Sequence, residues 1–188
     1  MRQQHIIGIA GAFGSGKTTA SQLLENLGYQ RISLGQFLEE ELVARGEKEI
    51  TRKKLQDIGN EWRVKYGNDV LVRKALDLVR QNNWEKVVIE GYRNSDEVLT
   101  LRKSGLAVLI SLIVNREARF RRLKQLKRRE KLTKDLFDEL DNRDLGIGEG
   151  EHGLQTAICI AMADVFIEND GTVRGLATKL RKIVKEYE

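Results

Sequence analysis

Residues 11–18 read Gly11-Ala12-Phe13-Gly14-Ser15-Gly16-Lys17-Thr18, a complete G-x-x-x-x-G-K-T, directly after the apolar run His5-Ile6-Ile7-Gly8-Ile9-Ala10. That spacing is a mechanical specification. Glycines let the backbone curl without a Cβ clash, so successive N–H groups point inward and form an anion cradle. In such a loop the lysine reaches the β- and γ-phosphates of a nucleotide and the threonine hydroxyl ligates Mg²⁺. A helix starting near Gly16 aims its positive end at the same anion. Ile6, Ile7 and Ile9 fit a buried parallel strand, and Ala20, Leu23, Leu24 and Leu27 form one stripe of a helix over 18–27. A glycine-rich turn that merely joins a strand to a helix would need no Lys-Thr pair after its last glycine.

Further strands are expected at Tyr29–Leu34, Lys86–Glu90, Ala107–Val114 and Val165–Glu168. Helical patterns follow them at Gln36–Arg45, Ser95–Lys103, Arg116–Lys131 and Val173–Tyr187, with Asn94 and Thr172 as N-caps. This alternation implies a three-layer α/β/α fold around a five-stranded parallel sheet, with ligands collecting at the carboxyl ends of the strands. Two connections exceed simple crossovers. About residues 35–84 form a helical insertion, with helices at Gln36–Arg45, Arg52–Tyr66 and Val70–Gln81 punctuated by Gly46 and Gly67-Asn68. About residues 128–153 form a polar lid whose stretch Leu145–Gly150 reads as flexible.

The chain of 188 residues fits one domain, for which ~100–200 residues are usual. No N-terminal signal pattern is expected, and the longest apolar stretch, Leu106–Val114, is too short to span a bilayer. Cys159 is the single cysteine and lies in an apolar run, which implies a core thiol and a reducing, cytoplasmic setting. His5 and His152 have no partners at metal-ligand spacing. The net charge is +5, and Arg116–Lys134 alone carries an excess of eight positive charges, so basicity is concentrated. Such a segment suits phosphates. It holds no aromatic side chain except Phe120, which the helical phase turns inward with Leu123, so base stacking on nucleic acid is disfavoured.

Together the phosphate loop, the helical insertion, the Glu90-Gly91-Tyr92-Arg93 turn and the arginine-rich helix resemble P-loop nucleotide kinases. The likeness is to adenylate kinase-like nucleoside monophosphate kinases and dephospho-coenzyme A kinase, and most of all to predicted deoxynucleotide monophosphate kinases. It extends over nearly the whole chain. It takes in Thr51-Arg52, Leu55-Gln56, Gly59-Asn60, Arg63, Asp141-Asn142-Arg143-Asp144-Leu145 and Asn169-Asp170-Gly171-Thr172. The resemblance implies Mg-ATP as phosphoryl donor, held by Gly11, Ala12, Phe13, Gly14, Ser15, Gly16, Lys17, Thr18 and Thr19, with Arg128, Asn169 and Gly171 completing the nucleotide site. It implies catalytic roles for Lys17, Arg119, Arg122 and Arg143, since phosphoryl transfer depends mainly on alignment and cationic stabilisation. Arg93 is the implied ligand of the acceptor phosphate, with Arg52, Arg63 and Ser33 beside it. Glu90 stands where related kinases carry Asp and would hold Mg²⁺ through water, together with Thr18. A solvated basic helix remains the alternative for the arginine segment, and a strand-end charge the alternative for Glu90.

The acceptor turns on a proton. A kinase acting on a hydroxyl places a carboxylate near the acceptor oxygen, and dephospho-coenzyme A kinase carries one at the end of strand two. Here that position reads Ile32-Ser33-Leu34-Gly35. A nucleoside phosphate, with a second pKa near ~6 by analogy with phosphorylated side chains, is already a nucleophile at neutral pH. A nucleoside or deoxynucleoside monophosphate is therefore the expected acceptor. Another small-molecule kinase of the same fold, including a dephospho-coenzyme A kinase relative, and a P-loop nucleotide switch or nucleic-acid-binding ATPase remain the alternatives.

Overall fold

The computed structural model describes residues 4–105, 107–126 and 130–187. Its elements are β1 (His5–Ala10), α1 (Lys17–Glu25), β2 (Gln30–Ser33), α2 (Leu34–Ala44), α3 (Arg52–Tyr66), α4 (Val70–Gln81) and β3 (Lys86–Glu90). There follow α5 (Ser95–Lys103), β4 (Ala107–Ile113), α6 (Arg116–Leu126), α7 (Lys134–Leu145), α8 (Thr156–Ala161), β5 (Val165–Glu168) and α9 (Val173–Tyr187). The strands pair parallel throughout, in the order β2-β3-β1-β4-β5. This is the expected three-layer α/β/α P-loop fold.

β1, β3 and β4 are almost wholly buried, because helices cover both faces of the sheet. Alternate side chains feed two cores. Ile6, Ala10, Val87, Ile89 and Leu109 pack with apolar residues of α2, α3, α4 and α5. Ile7, Ile9, Val88, Ile110 and Leu112 pack with Ala20 and Leu24 of α1 and with Leu176, Leu180 and Ile183 of α9. Gly8 faces the first core, where a Cβ would lie 2.8 Å from both Leu101 and Leu109 and 3.2 Å from Tyr92. The missing side chain is what lets Tyr92 and α5 close over the strand.

The caps behave as expected. Asn94 and Glu97 form a reciprocal capping box at α5, and Thr172 Oγ1 accepts from Gly175 N at 3.1 Å. α2 starts at Leu34 rather than Gln36, immediately after β2.

The larger departure is in the polar segment before β5. Residues 127–129, which include Arg128 and the start of the expected lid, lie outside the described residues. Beyond them α7 is a 12-residue helix, N-capped by Thr133 and ended by Gly146 at φ 110°. Phe137, Leu140, Asp141 and Asp144 form its buried stripe. The stretch expected to be flexible is fastened by Glu149. That carboxylate accepts from Arg143 Nε (2.6 Å), Asn60 Nδ2 (2.6 Å) and Leu154 N (3.1 Å).

The register places Ile9 and Ser33 both opposite Glu90. The ends of β1, β2 and β3 are therefore level, and the loops that leave them share one edge of the sheet. β1 lies between β3 and β4, where successive connections diverge, the usual place for a ligand in an open α/β sheet.

Candidate functional site

The loop from β1 to α1 has the conformation its glycines demand. Gly11, Gly14 and Gly16 all have positive φ. At Gly14 a Cβ would also lie 2.9 Å from the Arg119 carbonyl, so glycine is needed both for the turn and for the approach of α6. Ser15 N donates to Ala12 O at 3.1 Å, and the Ser15 hydroxyl is buried with no partner among the described residues. Lys17 Nζ crosses the loop and donates to Gly11 O (2.7 Å) and Ala12 O (3.0 Å). Burial, and then the charge of Arg93, push this ammonium well below the ordinary lysine range.

On the β3 side, Glu90 is buried and forms a hub. Its Oε1 accepts from Ser21 Oγ (2.9 Å) and from Arg31 Nη2 (2.6 Å). Its Oε2 receives the Thr18 hydroxyl at 3.3 Å. One carboxylate oxygen is thus balanced by Arg31, while the other shares space with the hydroxyl of the phosphate-loop threonine. Two hard oxygen donors side by side fit Mg²⁺, directly or through its waters.

A third group gathers next to Lys17. Arg52, the first residue of α3, donates from Nη2 to Asp144 Oδ1 at 2.5 Å. Arg93, in the turn after β3, brings Nε to 3.1 Å from the same oxygen. Burial alone would raise the Asp144 carboxyl. Arg93, Arg52 and Lys17 override that and hold it down at about 2. The Arg52 guanidinium also lies 4.7 Å over the Phe13 ring, and Phe13 stacks on Phe137 of α7 at 6.2 Å and 21°. The phosphate loop is therefore roofed by α7 and by the first residue of α3.

The other expected arginines have protein partners. Arg119, expected as a catalytic cation on the face shared with Arg122 while Phe120 packs inward, is buried at 5% exposure. Its two terminal nitrogens pair with Asp141, and Nη1 also donates to Phe13 O at 2.9 Å. Phe120 is half-buried against Phe137 at 5.3 Å. The helical phase expected from the apolar residues is overridden by a carboxylate on α7 that the spacing within α6 could not reveal. Arg122 Nη2 donates to Asn169 O at 2.7 Å, and Asn169 Nδ2 donates to Ser15 O at 2.9 Å. These two therefore bracket the Ser15–Gly16 flank of the loop, with exposed Gly171 two residues beyond Asn169. Arg143 binds Glu149 and Asp57. Arg63 is 1% exposed and its Nη2 lies 3.6 Å from buried Glu97, whose other oxygen accepts from Arg93 N at 2.6 Å. Among the described residues, Arg63 thus meets the turn after β3 through Glu97. Ser33 and Thr19 are half-buried, one as the N-cap of α2 and the other in the first turn of α1.

The sequence reading missed Arg31 and Phe137, and named Asp141 and Asp144 only within a family-like segment, with no role. A signal existed for the acids: Phe137, Leu140, Asp141 and Asp144 keep helical spacing, so both carboxylates share the apolar stripe.

A G-x-x-x-x-G-K-T cradle between β3 and β4 of a 2-3-1-4-5 parallel sheet, with cations converging on its lysine, defines a P-loop fold of the small-molecule kinase type. Shikimate kinase from Acinetobacter baumannii in complex with shikimate superposes with a TM-score of 0.60 at 18% identity, covering 98% of this chain and 95% of that one. Shikimate kinase from Aquifex aeolicus gives 0.54 at 17% identity, with 96% of each chain covered. Residues 7–145 match the AAA domain family. A UPF0200 protein of Methanothermobacter thermautotrophicus is 30% identical over 185 residues, 96% of this chain and 90% of that protein. Another from Thermococcus kodakarensis is 29% identical over 187 residues, 96% and 97% of the two chains. The chain belongs to the AAA domain family and, over nearly its full length, to the UPF0200 proteins. No helix among the described residues is long and apolar enough to cross a membrane.

Proposed function

We propose that this protein transfers the terminal phosphoryl group of Mg-ATP to a nucleoside or deoxynucleoside monophosphate, giving ADP and a nucleoside diphosphate. The observation that carries this reading is the convergence of Arg52 and Arg93 on one carboxylate, Asp144, within the electrostatic reach of Lys17. The phosphate loop, from Gly11 to Thr19, takes the triphosphate. An oxygen of the acceptor phosphate forms the new bond to the γ-phosphorus as the bond to the β–γ bridging oxygen breaks, and ADP leaves with that electron pair. The acceptor oxygen carries no proton to remove when its phosphate is dianionic.

Lys17 neutralises charge on the transferred group, and Arg93 and Arg52 offset the repulsion between two anionic substrates. Thr18 and Glu90 would hold Mg²⁺, which neutralises and aligns the phosphate oxygens when bound. Arg122, Asn169 and Gly171 fit the nucleoside end of ATP better than the transferred phosphate, because Arg122 and Asn169 join the flank of the loop at Ser15. Arg119 and Arg143 act as anchors for α7 in this reading. The insertion at about 35–84 supplies one wall of the acceptor site. The segment at about 128–153, with α7 as its described helix, supplies the cover.

A hydroxyl acceptor is the second reading. Asp144 puts a buried carboxylate beside Arg52 and Arg93, and the structural neighbours named above are shikimate kinases. A carboxyl held at about 2 by flanking cations is a weak base, which favours the phosphate acceptor. ADP release from Mg-ATP, followed across nucleoside and deoxynucleoside monophosphates, dephospho-coenzyme A and shikimate, decides between them. Turnover with a monophosphate is the expected result. Turnover with a hydroxyl acceptor alone would move the assignment to the second reading. Phosphate release stimulated by nucleic acid, with no phosphorylated small molecule, would point to an ATPase.

A further inference from the structure

A carboxylate of the chain itself stands between Arg52 and Arg93, the arginines assigned above to the acceptor, and interacts with Lys17. Asp144 Oδ1 faces Arg52 Nη2 at 2.5 Å and Arg93 Nε at 3.1 Å, two cations from different segments. Asp144 is 0% exposed, and its Oδ2 has no hydrogen-bond partner among the described residues. One oxygen thus serves two guanidiniums and the other serves none. Arg52 and Arg93 share this one carboxylate and Lys17 adds a third cation, with Glu130 accepting from Arg52 N and Glu97 from Arg93 N behind them. A phosphate dianion would bring three oxygens and a second charge to the same cations.

We propose that Asp144 is the specificity-determining residue of the acceptor site: a built-in competitor that occupies the place of the acceptor's phosphate and is displaced by a dianion. The proposal rests on the phosphorylated-acceptor reading above and deepens it. A free carboxylate offers the arginines nothing that Asp144 lacks and must give up its own translational freedom, so the tethered group wins. A neutral hydroxyl brings no charge to exchange. A phosphate gains the extra charge and the extra hydrogen bonds, and that surplus drives the exchange.

Calorimetry on the full chain saturated with Mg-ADP, so that the phosphate loop is filled, tests this with inorganic phosphate and acetate as probes. The wild type is expected to bind phosphate and not acetate. Asp144→Asn is expected to bind phosphate about tenfold more tightly, the gain from deleting a competitor worth one charge-assisted hydrogen bond, and to begin binding acetate. Equal or weaker phosphate affinity in a folded Asp144→Asn protein overturns the proposal, weaker binding meaning that the carboxylate orients the arginines. Absence of phosphate binding by the wild type overturns it as well.

Asp144→Asn removes the carboxylate that Arg52 and Arg93 share, and so perturbs stability as well as binding. Amide hydrogen exchange on the wild type therefore gives a second readout. Phosphate is expected to speed exchange in the last turn of α7 as Asp144 is released; unchanged or slower exchange overturns the proposal. The two ideas fail separately. A variant that still phosphorylates a monophosphate without any gain in phosphate affinity sinks only the competitor, whereas tightened phosphate binding in a protein that phosphorylates no acceptor sinks only the kinase reading.

Discussion

Lys17 and Asp144 carry opposite consequences of the same crowding. Among the described residues Lys17 Nζ hydrogen-bonds to loop carbonyls alone, and burial and Arg93 disfavour its charged form, which an anion would stabilise. Lys17→Ala is expected to abolish ATP turnover and leave the far-ultraviolet circular dichroism unchanged, since no core contact depends on its amine. Asp144 has a folded value of about 2 against an ordinary 3.8. Its contribution to stability is present above the ordinary value and drains away as pH falls through that window. It amounts to about 2 kcal/mol, and Asp144→Asn should flatten this part of an acid-denaturation profile. Arg119 differs from the exposed Arg121 one turn-face away. Truncating Arg119 removes two of the hydrogen bonds to Asp141, which is 0% exposed and is left with Arg116 alone, and should cost about 3 kcal/mol in urea denaturation. Arg121→Ala should cost almost nothing. Spacing set Arg119 apart from Arg121 by the face it shares with Arg122, but not as a buried residue, because the carboxylate that buries it comes from a helix farther along the chain.

At the scale of elements, the loop between β1 and α1 was legible and α7 was not. Glycine, lysine and threonine at fixed offsets specify the loop by local backbone mechanics alone. In α7 the inward stripe carries two acids among its apolar residues, so hydrophobic periodicity reads as surface. Those acids are tolerable inside only because Arg116 and Arg119 from α6, Arg52 from α3 and Arg93 from the β3 turn arrive to meet them. The helix is thus specified by tertiary pairing, which no local window contains. Phe137 is its apolar anchor, fully buried against Phe13 and Phe120. Phe137→Ala should destabilise the protein by about 3–5 kcal/mol, measured by thermal or urea unfolding. It should also speed hydrogen exchange in residues 11–14, because the ring that roofs the phosphate loop is gone.

For the whole molecule, the parallel sheet followed from apolar runs separated by helical patterns, and the two cores fell on its two faces as alternation requires. The position of the site at the carboxyl edge followed from that topology, and with it the grouping of the phosphate loop, Glu90 and Arg93. The partners of the arginines did not, because charge on a helix has no preferred direction until its counter-ion is located. Lys17, Thr18, Glu90, Arg52 and Arg93 now stand at one edge, while Arg119, Arg143 and Arg63 brace the elements around them. The direct measurement is to follow the labelled terminal phosphoryl group of Mg-ATP into product by chromatography, with each nucleoside and deoxynucleoside monophosphate offered in turn. The account predicts label in a nucleoside diphosphate, lost in Lys17→Ala; label that remains in ATP with every monophosphate, or emerges only as inorganic phosphate, would contradict it.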